Sequence, residues 1–339
     1  MADFKHLIAL TDNNGILQFS QRDWPDPNSG YTLDDNARAL LVSIFSADGQ
    51  EWAQCYASSL YRSQRPDGSW SNFQLGSRFS SGFDSEDSVG RALLACCIGT
   101  AGSWPELRKL CLDMLNRNLL RAFDFTSPRA IAYTLLGLCK GEVPIAPERL
   151  LSIISSLSNR LIGLYKAKHH HDWLWFEDYF TYCNGILPQA LLAAYTVNGD
   201  KKALKTGHDS LNFLNSILFR DGFLNIIGNQ GWYRKGEPIA LFDQQPVDAA
   251  STYFACMEAY QTMGSQEYRE LARAAHAWFR GQNIHKLSLY NPKTGGCFDA
   301  ITAEGLNLNQ GAESTLSLLL CDLHAEGSME LQAESGSGS

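Results

Sequence analysis

Tyr31-Thr32-Leu33-Asp34-Asp35-Asn36-Ala37-Arg38-Ala39-Leu40 decides the reading of this chain, because its pattern returns five times. An acidic or polar start opens a run of small and apolar residues at helical spacing. Later versions begin at Phe83-Asp84-Ser85-Glu86-Asp87 with Arg91, at Thr126-Ser127-Pro128-Arg129, and at Trp175-Phe176-Glu177-Asp178-Tyr179 leading into Asn184-Gly185-Ile186-Leu187-Pro188. The last two are Asp243-Gln244-Gln245-Pro246-Val247-Asp248 and Asn309-Gln310-Gly311-Ala312-Glu313. They recur at roughly 40 to 65 residues, the range of repeated helical hairpins. Six such hairpins closing into a ring bring all six polar helix starts to one end.

Between these starts lie helices of a second kind. Apolar, Ala- and Leu-rich helices are predicted from about 34 and near 87, 129, 188, 247 and 312. Helices that carry charge on one face are predicted at about 50–63, 105–121, 147–165, 201–218 and 266–282. The first kind suits an inner ring, flanked on all sides, and the second an outer, solvated one. A short helical stretch, Phe4 to Leu10, precedes a turn at Asn13-Asn14-Gly15. Local chemistry supports the starts: Thr32 with Asp35 has capping-box spacing, and Ser127 precedes Pro128 as an N-cap before a proline. Gln245 before Pro246 and Leu187 before Pro188 repeat the proline device.

Of 339 residues 45% are hydrophobic, enough to bury a large core. Evenly spaced similar segments argue for one repeat domain over 1–328, with Gly- and Ser-rich 329–339 as a disordered tail or linker. The formal charge of −8, with Lys and Arg unclustered, argues against a nucleic-acid partner. Nine scattered cysteines without a CxxC read as free thiols in a reducing compartment. Without a signal-peptide pattern or a membrane-length apolar run, the expectation is a cytoplasmic protein with no membrane partner. No nucleotide or metal motif is present, so no cofactor is expected. His169-His170-His171 reads as a polar loop, because consecutive histidines cannot converge on one ion.

The acids at the helix starts can be caps, or they can do acid/base chemistry. Cleaving a glycosidic bond takes one carboxyl group to protonate the leaving oxygen and a second to activate water or to attack. Arg38 follows Asp34 by four residues and Arg91 follows Asp87 by four, a spacing that allows intrahelical salt bridges. On that reading Asp35 and Glu86 are freer to face a ligand. Glu177, among aromatic residues that would raise a carboxyl pKa, is the expected general acid. Asp248 or Glu313 across the ring is the expected base. Trp173, Trp175, Phe176 and Tyr179 suit either sugar stacking or a plug in the rim. The ligand-binding set expected around these acids is Asp35, Arg38, Glu86, Asp87, Arg129, Trp175, Asp178, Tyr179, Asn184 and Gln245.

Over nearly its whole length the chain resembles the six-hairpin glycosidase-like domains of bacteria, which occur alone or joined to glycosyltransferases. The segments that carry the resemblance are Thr11-Asp12-Asn13-Asn14-Gly15-Ile16-Leu17-Gln18, Gly30 to Leu40, the Trp175 to Pro188 block, Gln245 to Ala249, and Asn309 to Thr315. The resemblance implies an all-α (α/α)6 toroid with short β-hairpins in the rim loops. It implies an enzyme of carbohydrate metabolism, and a glycoside hydrolase acting on a bacterial oligo- or polysaccharide with inversion is the leading expectation. The family often has His where this chain has Phe19. A non-catalytic sugar-binding or scaffold module serving a glycosyltransferase is the first alternative, and a terpene-cyclase-like α/α toroid enzyme is the second. Gln64-Arg65-Pro66-Asp67-Gly68-Ser69-Trp70 also matches the QxxxGxW motif of terpene cyclases, and Asp84-Ser85-Glu86-Asp87 loosely resembles their acidic motif. The Q/W motif occurs here once, whereas those enzymes repeat it.

Overall fold

The computed structural model describes residues 2–82 and 85–327. Asp84 and the 329–339 segment therefore lie outside the described residues. In chain order the helices are α1 (Lys5–Leu10), α2 (Leu33–Ile44), α3 (Gln50–Ser63), α4 (Glu86–Thr100), α5 (Pro105–Asn118) and α6 (Pro128–Lys140). They continue as α7 (Pro147–Lys168), α8 (Ile186–Asn198), α9 (Lys201–Leu218), α10 (Pro246–Met263), α11 (Gln266–Trp278) and α12 (Ala312–Ala325). Contacts run α2 to α4, α4 to α6, α6 to α8, α8 to α10 and α10 to α12, and α12 returns to α2. These six form a closed inner ring. Outer helices α3, α5, α7, α9 and α11 each pack on the inner helix before them, and α12 packs on α1. The first helix of the chain thus completes the sixth hairpin, making an (α/α)6 toroid.

The two rings differ in burial as their sequences require. Every residue of α6 from Arg129 to Leu138 is buried. In α9 burial instead recurs at Ala203, Thr206, Gly207, Ser210, Leu211, Leu214 and Leu218, one stripe on a polar helix. Glycine sets the closest inner contact. A Cβ on Gly90 of α4 would lie 2.8 Å from Ala130 Cα of α6, and one on Gly137 of α6 would lie 2.9 Å from Leu94 Cα of α4.

Capping follows the sequence closely. Thr32 Oγ1 accepts from Asp35 N at 3.1 Å and donates to Asp35 Oδ2 at 2.6 Å. Ser85 caps α4 through the Asp87 amide, and Ser127 caps α6 ahead of Pro128. The start of α8 differs from expectation: the helix begins at Ile186, two residues before Pro188. A proline in the first turn forfeits no helical bond, since those amides have no intrahelical acceptor. Gly185 is instead the entry point, and its missing side chain admits the Ser251 carbonyl, 2.3 Å from where a Cβ would stand.

The loops entering the inner helices carry the short strands. Tyr31–Thr32 pairs with Phe73–Leu75, which pairs with Arg78–Ser80, and Tyr179–Phe180 pairs with Tyr233–Arg234. The Gln64 to Trp70 motif is a brace in this rim. Gln64 Nε2 donates to Met114 O at 3.0 Å, and Trp70 Nε1 donates to Leu60 O at 2.9 Å, tying the ends of α3 and α5 together. All nine cysteines are free thiols, and Cys96, Cys97, Cys111, Cys183, Cys256, Cys297 and Cys321 are buried. Among the described residues, no helix is long and apolar enough to cross a membrane.

Candidate active site at the ring mouth

The six inner-helix starts converge on a layer of buried charge. Arg38 of α2 donates to Asp35 Oδ1 at 2.9 Å and to Glu313 Oε2 of α12 at 2.5 Å. Arg91 of α4 reaches back to Asp34 of α2 at 3.2 Å, and its other nitrogen meets Cys183 Sγ at 3.4 Å. Arg129 of α6 donates to Glu177 at 2.9 Å, to the Tyr182 carbonyl at 2.6 Å and to Asn184 Oδ1 at 3.0 Å. The intrahelical pairs expected at i,i+4 are replaced. Arg38 takes Asp35 three residues before it, Arg91 takes a carboxylate on the neighbouring helix, and Asp87 accepts from the hydroxyls of Ser127 and Tyr182. Side chains pointing into a ring meet the next helix sooner than their own next turn.

Asp248 and Glu313 face this layer from α10 and α12. Cys183 adopts φ +48°, in the left-handed region that side chains disfavour. Its amide donates to Asp248 Oδ1 at 2.6 Å. Asp248 Oδ2 is buried and has no hydrogen-bond partner. Burial pushes the Asp248 pKa up to about 7, the Cys183 amide opposes this, and the charge of Glu313 adds to it. Asp35 is pushed up to about 6, again chiefly by burial, with Arg38 opposing. The Glu313 side chain stays 40% exposed. Carboxyl groups of Asp34, Asp35, Asp87, Glu177, Asp248 and Glu313 thus stand among the guanidinium groups of Arg38, Arg91 and Arg129, with Asp299 beside the start of α12.

Several expected ligand-binding residues are spent on structure. Trp175 is fully buried, packed on Phe180 and Phe176, and Trp173 is 2% exposed. The aromatic cluster is the rim plug, and Glu177 sits against Arg129 rather than in an apolar pocket. Glu86 accepts from the Thr126 and Ser127 amides at 2.6 Å each, anchoring the entry to α6. Asp178 is exposed and paired with Lys168 at 2.5 Å. Asn184 serves Arg129 and the Thr181 backbone. Tyr179, 37% exposed, lies under Arg234, and Gln245 sits part-exposed at the start of α10 without a side-chain cap bond.

Exposed rim aromatics appear elsewhere. Phe19 is 53% and Trp24 is 76% exposed. Their segment is stitched to the start of α12, where Ala312 N donates to Gln18 O and Gln310 N donates to Arg22 O. Trp24 follows a short polar turn, and nothing in its local pattern separates it from a buried rim tryptophan. The described residues hold no group of three His, Cys, Asp or Glu side chains placed to bind a metal. His171 of the histidine run is 95% exposed at its side chain.

No protein-family model and no curated protein sequence matches the chain. Solved structures do. A sugar epimerase from a ruminal bacterium superposes with a TM-score of 0.70 at 12% identity, covering 94% of this chain and 95% of that one. Cellobiose 2-epimerase from Spirochaeta thermophila DSM 6192 gives 0.67 at 12% identity, over 91% and 89% of the two chains. A GH76 α-mannanase from Bacteroides thetaiotaomicron gives 0.62 at 12% identity, over 94% and 91%. At such identities the likeness establishes the fold: this chain is an (α/α)6 toroid.

Proposed function

We propose that the chain is a carbohydrate-active enzyme whose chemistry runs at the ring mouth, with Asp248 as general acid and Glu313 as its carboxylate partner. The observation that carries this reading is Asp248: one oxygen is held by the Cys183 amide and the other is buried and unpartnered, with a pKa near 7. Such a group keeps its proton in about half of the molecules at neutral pH and has no acceptor for it within the protein. Glu313, more exposed and held by Arg38, stays the acceptor. Glu177, fixed by Arg129, is better suited to positioning than to donating a proton.

The leading form of this reading is hydrolysis of a glycosidic bond in an oligo- or polysaccharide, with inversion at the anomeric carbon as the resemblance implies. Phe19 and Trp24, exposed beside the start of α12, would supply faces for sugar rings. The two epimerases among the similar structures favour a second form, proton exchange at sugar C2 by the same two carboxyl groups. One experiment separates them: proton NMR of an oligosaccharide panel incubated with the enzyme in D2O. Hydrolysis gives new reducing-end signals, first as the inverted anomer, with no deuterium at C2. Epimerisation gives deuterium at C2 and no new reducing ends. A panel left unchanged, with no sugar bound, would overturn both.

A further inference from the structure

Below the arginine layer the axis of the ring is hollow. A cavity of about 290 Å³ runs down it. Leu41 of α2, Leu94 of α4, Leu136 of α6, Phe254 of α10 and Leu320 of α12 face it. All except Leu136 keep accessible surface there, although their helix neighbours are buried. The two ends differ. At the top, Arg38 and Arg91 line the cavity, and their nitrogens are already committed to Asp35, Glu313, Asp34 and Cys183, with Arg91 lying 4.7 Å over the Tyr133 ring. At the bottom, Lys140 pairs with Glu258 at 2.8 Å, and Gln261 and His324 stand beside them. Lys140 is 37% exposed at its side chain and Gln261 is exposed, so this polar end faces solvent.

We propose that this cavity is a second binding site, separate from the mouth, for a single medium-length hydrocarbon chain with an uncharged polar end. Size sets the chain length. An apolar cavity of about 150 Å³ holds one benzene, so twice that volume holds roughly a dozen carbon atoms. An apolar wall with a few polar groups at one end is the usual form of a small-molecule site. At the upper end the two guanidinium groups are paired, and the Ser251 hydroxyl, buried without a partner, is an uncharged polar group open to a ligand there. The lower end offers donors and acceptors to a hydroxyl group. A carboxylate end fits less well, because it would displace Glu258 from Lys140 in a chain of net charge −8.

The probe is 1-decanol, with decanoate as the charged comparison, on the full chain. Decanol raises the Tm, and decanoate does so at least tenfold less effectively in concentration. Ala250→Phe and Leu320→Trp, which fill the cavity, weaken decanol binding at least tenfold, whereas Glu313→Gln at the mouth leaves it unchanged. A diazirine-bearing decanol gives a reading that needs no variant: its adducts fall on cavity peptides such as those holding Leu94, Leu136 or Met257. Decanol that leaves the wild-type Tm unmoved, adducts confined to surface peptides, or binding kept by a natively folded filling variant would overturn the proposal.

Discussion

Asp248 carries the chemistry proposed for the mouth. Burial pushes its pKa up to about 7, which has consequences for stability and, on the proposed reading, for activity. In the proposed role of general acid it works protonated, so kcat/KM is expected to fall as pH rises through about 7, and Asp248→Asn to remove that limb along with about 10²-fold or more of the rate. The stability sign runs the same way. The folded chain binds this proton more tightly than the unfolded chain, whose carboxyl titrates near 4, so stability falls as pH rises between about 4 and 7. Asp35, pushed to about 6, adds in the same direction. A Tm series from pH 4.5 to 7.5 is therefore expected to slope downward, and to slope less in Asp248→Asn. Arg129 carries a different load. It is 4% exposed and holds Glu177, Asn184 and the Tyr182 carbonyl together, so Arg129→Ala is expected to cost about 3 kcal/mol in urea unfolding by leaving the part-buried Glu177 carboxylate and the Tyr182 carbonyl without their donor. Trp24→Ala touches no core, and a rise in KM with kcat unchanged would mark it as a sugar platform.

The elements were largely legible because each inner helix announces itself with a cap and continues in residues small enough for close packing. Thr32, Ser127 and Pro246 stand where the sequence places them, and the charged stripes of α5, α7, α9 and α11 give the outer ring. What the sequence hid was direction. Asp34 and Arg38 have the spacing of an intrahelical pair, yet both side chains reach across to other helices, because ring closure is a long-range fact that no local window contains. Trp175 could not be told from a ligand platform for the same reason: its burial depends on Phe180, on the Tyr179–Phe180 strand that pairs with Tyr233–Arg234. Glycine spacing was the unread signal. Gly90 and Gly137 mark the close α4–α6 crossing, and Gly90→Ala is expected to cost about 1–3 kcal/mol despite the gain in helix propensity, because the new Cβ meets the Ala130 backbone rather than a movable side chain. Thermal or urea unfolding of that single variant checks it.

At the scale of the whole molecule, the toroid separates two kinds of surface. The N-terminal ends of the inner helices gather charge at the mouth, and the axis beneath them is apolar. The sixth hairpin is completed by α1, whose Leu7 and Leu10 are fully buried although the helix has only six residues. Sequence reading saw that helix but assigned it no role, since its partner α12 lies some three hundred residues away. On the proposed reading Asp248 and Glu313 form a working pair on a bound sugar. Single-turnover rates and binding constants for the wild type, Asp248→Asn and Glu313→Gln, on whichever oligosaccharide the NMR panel identifies, test it most directly. Both variants are expected to bind the sugar within about threefold of the wild type and to lose at least about 10²-fold in turnover. Turnover that survives both substitutions in folded protein would contradict it.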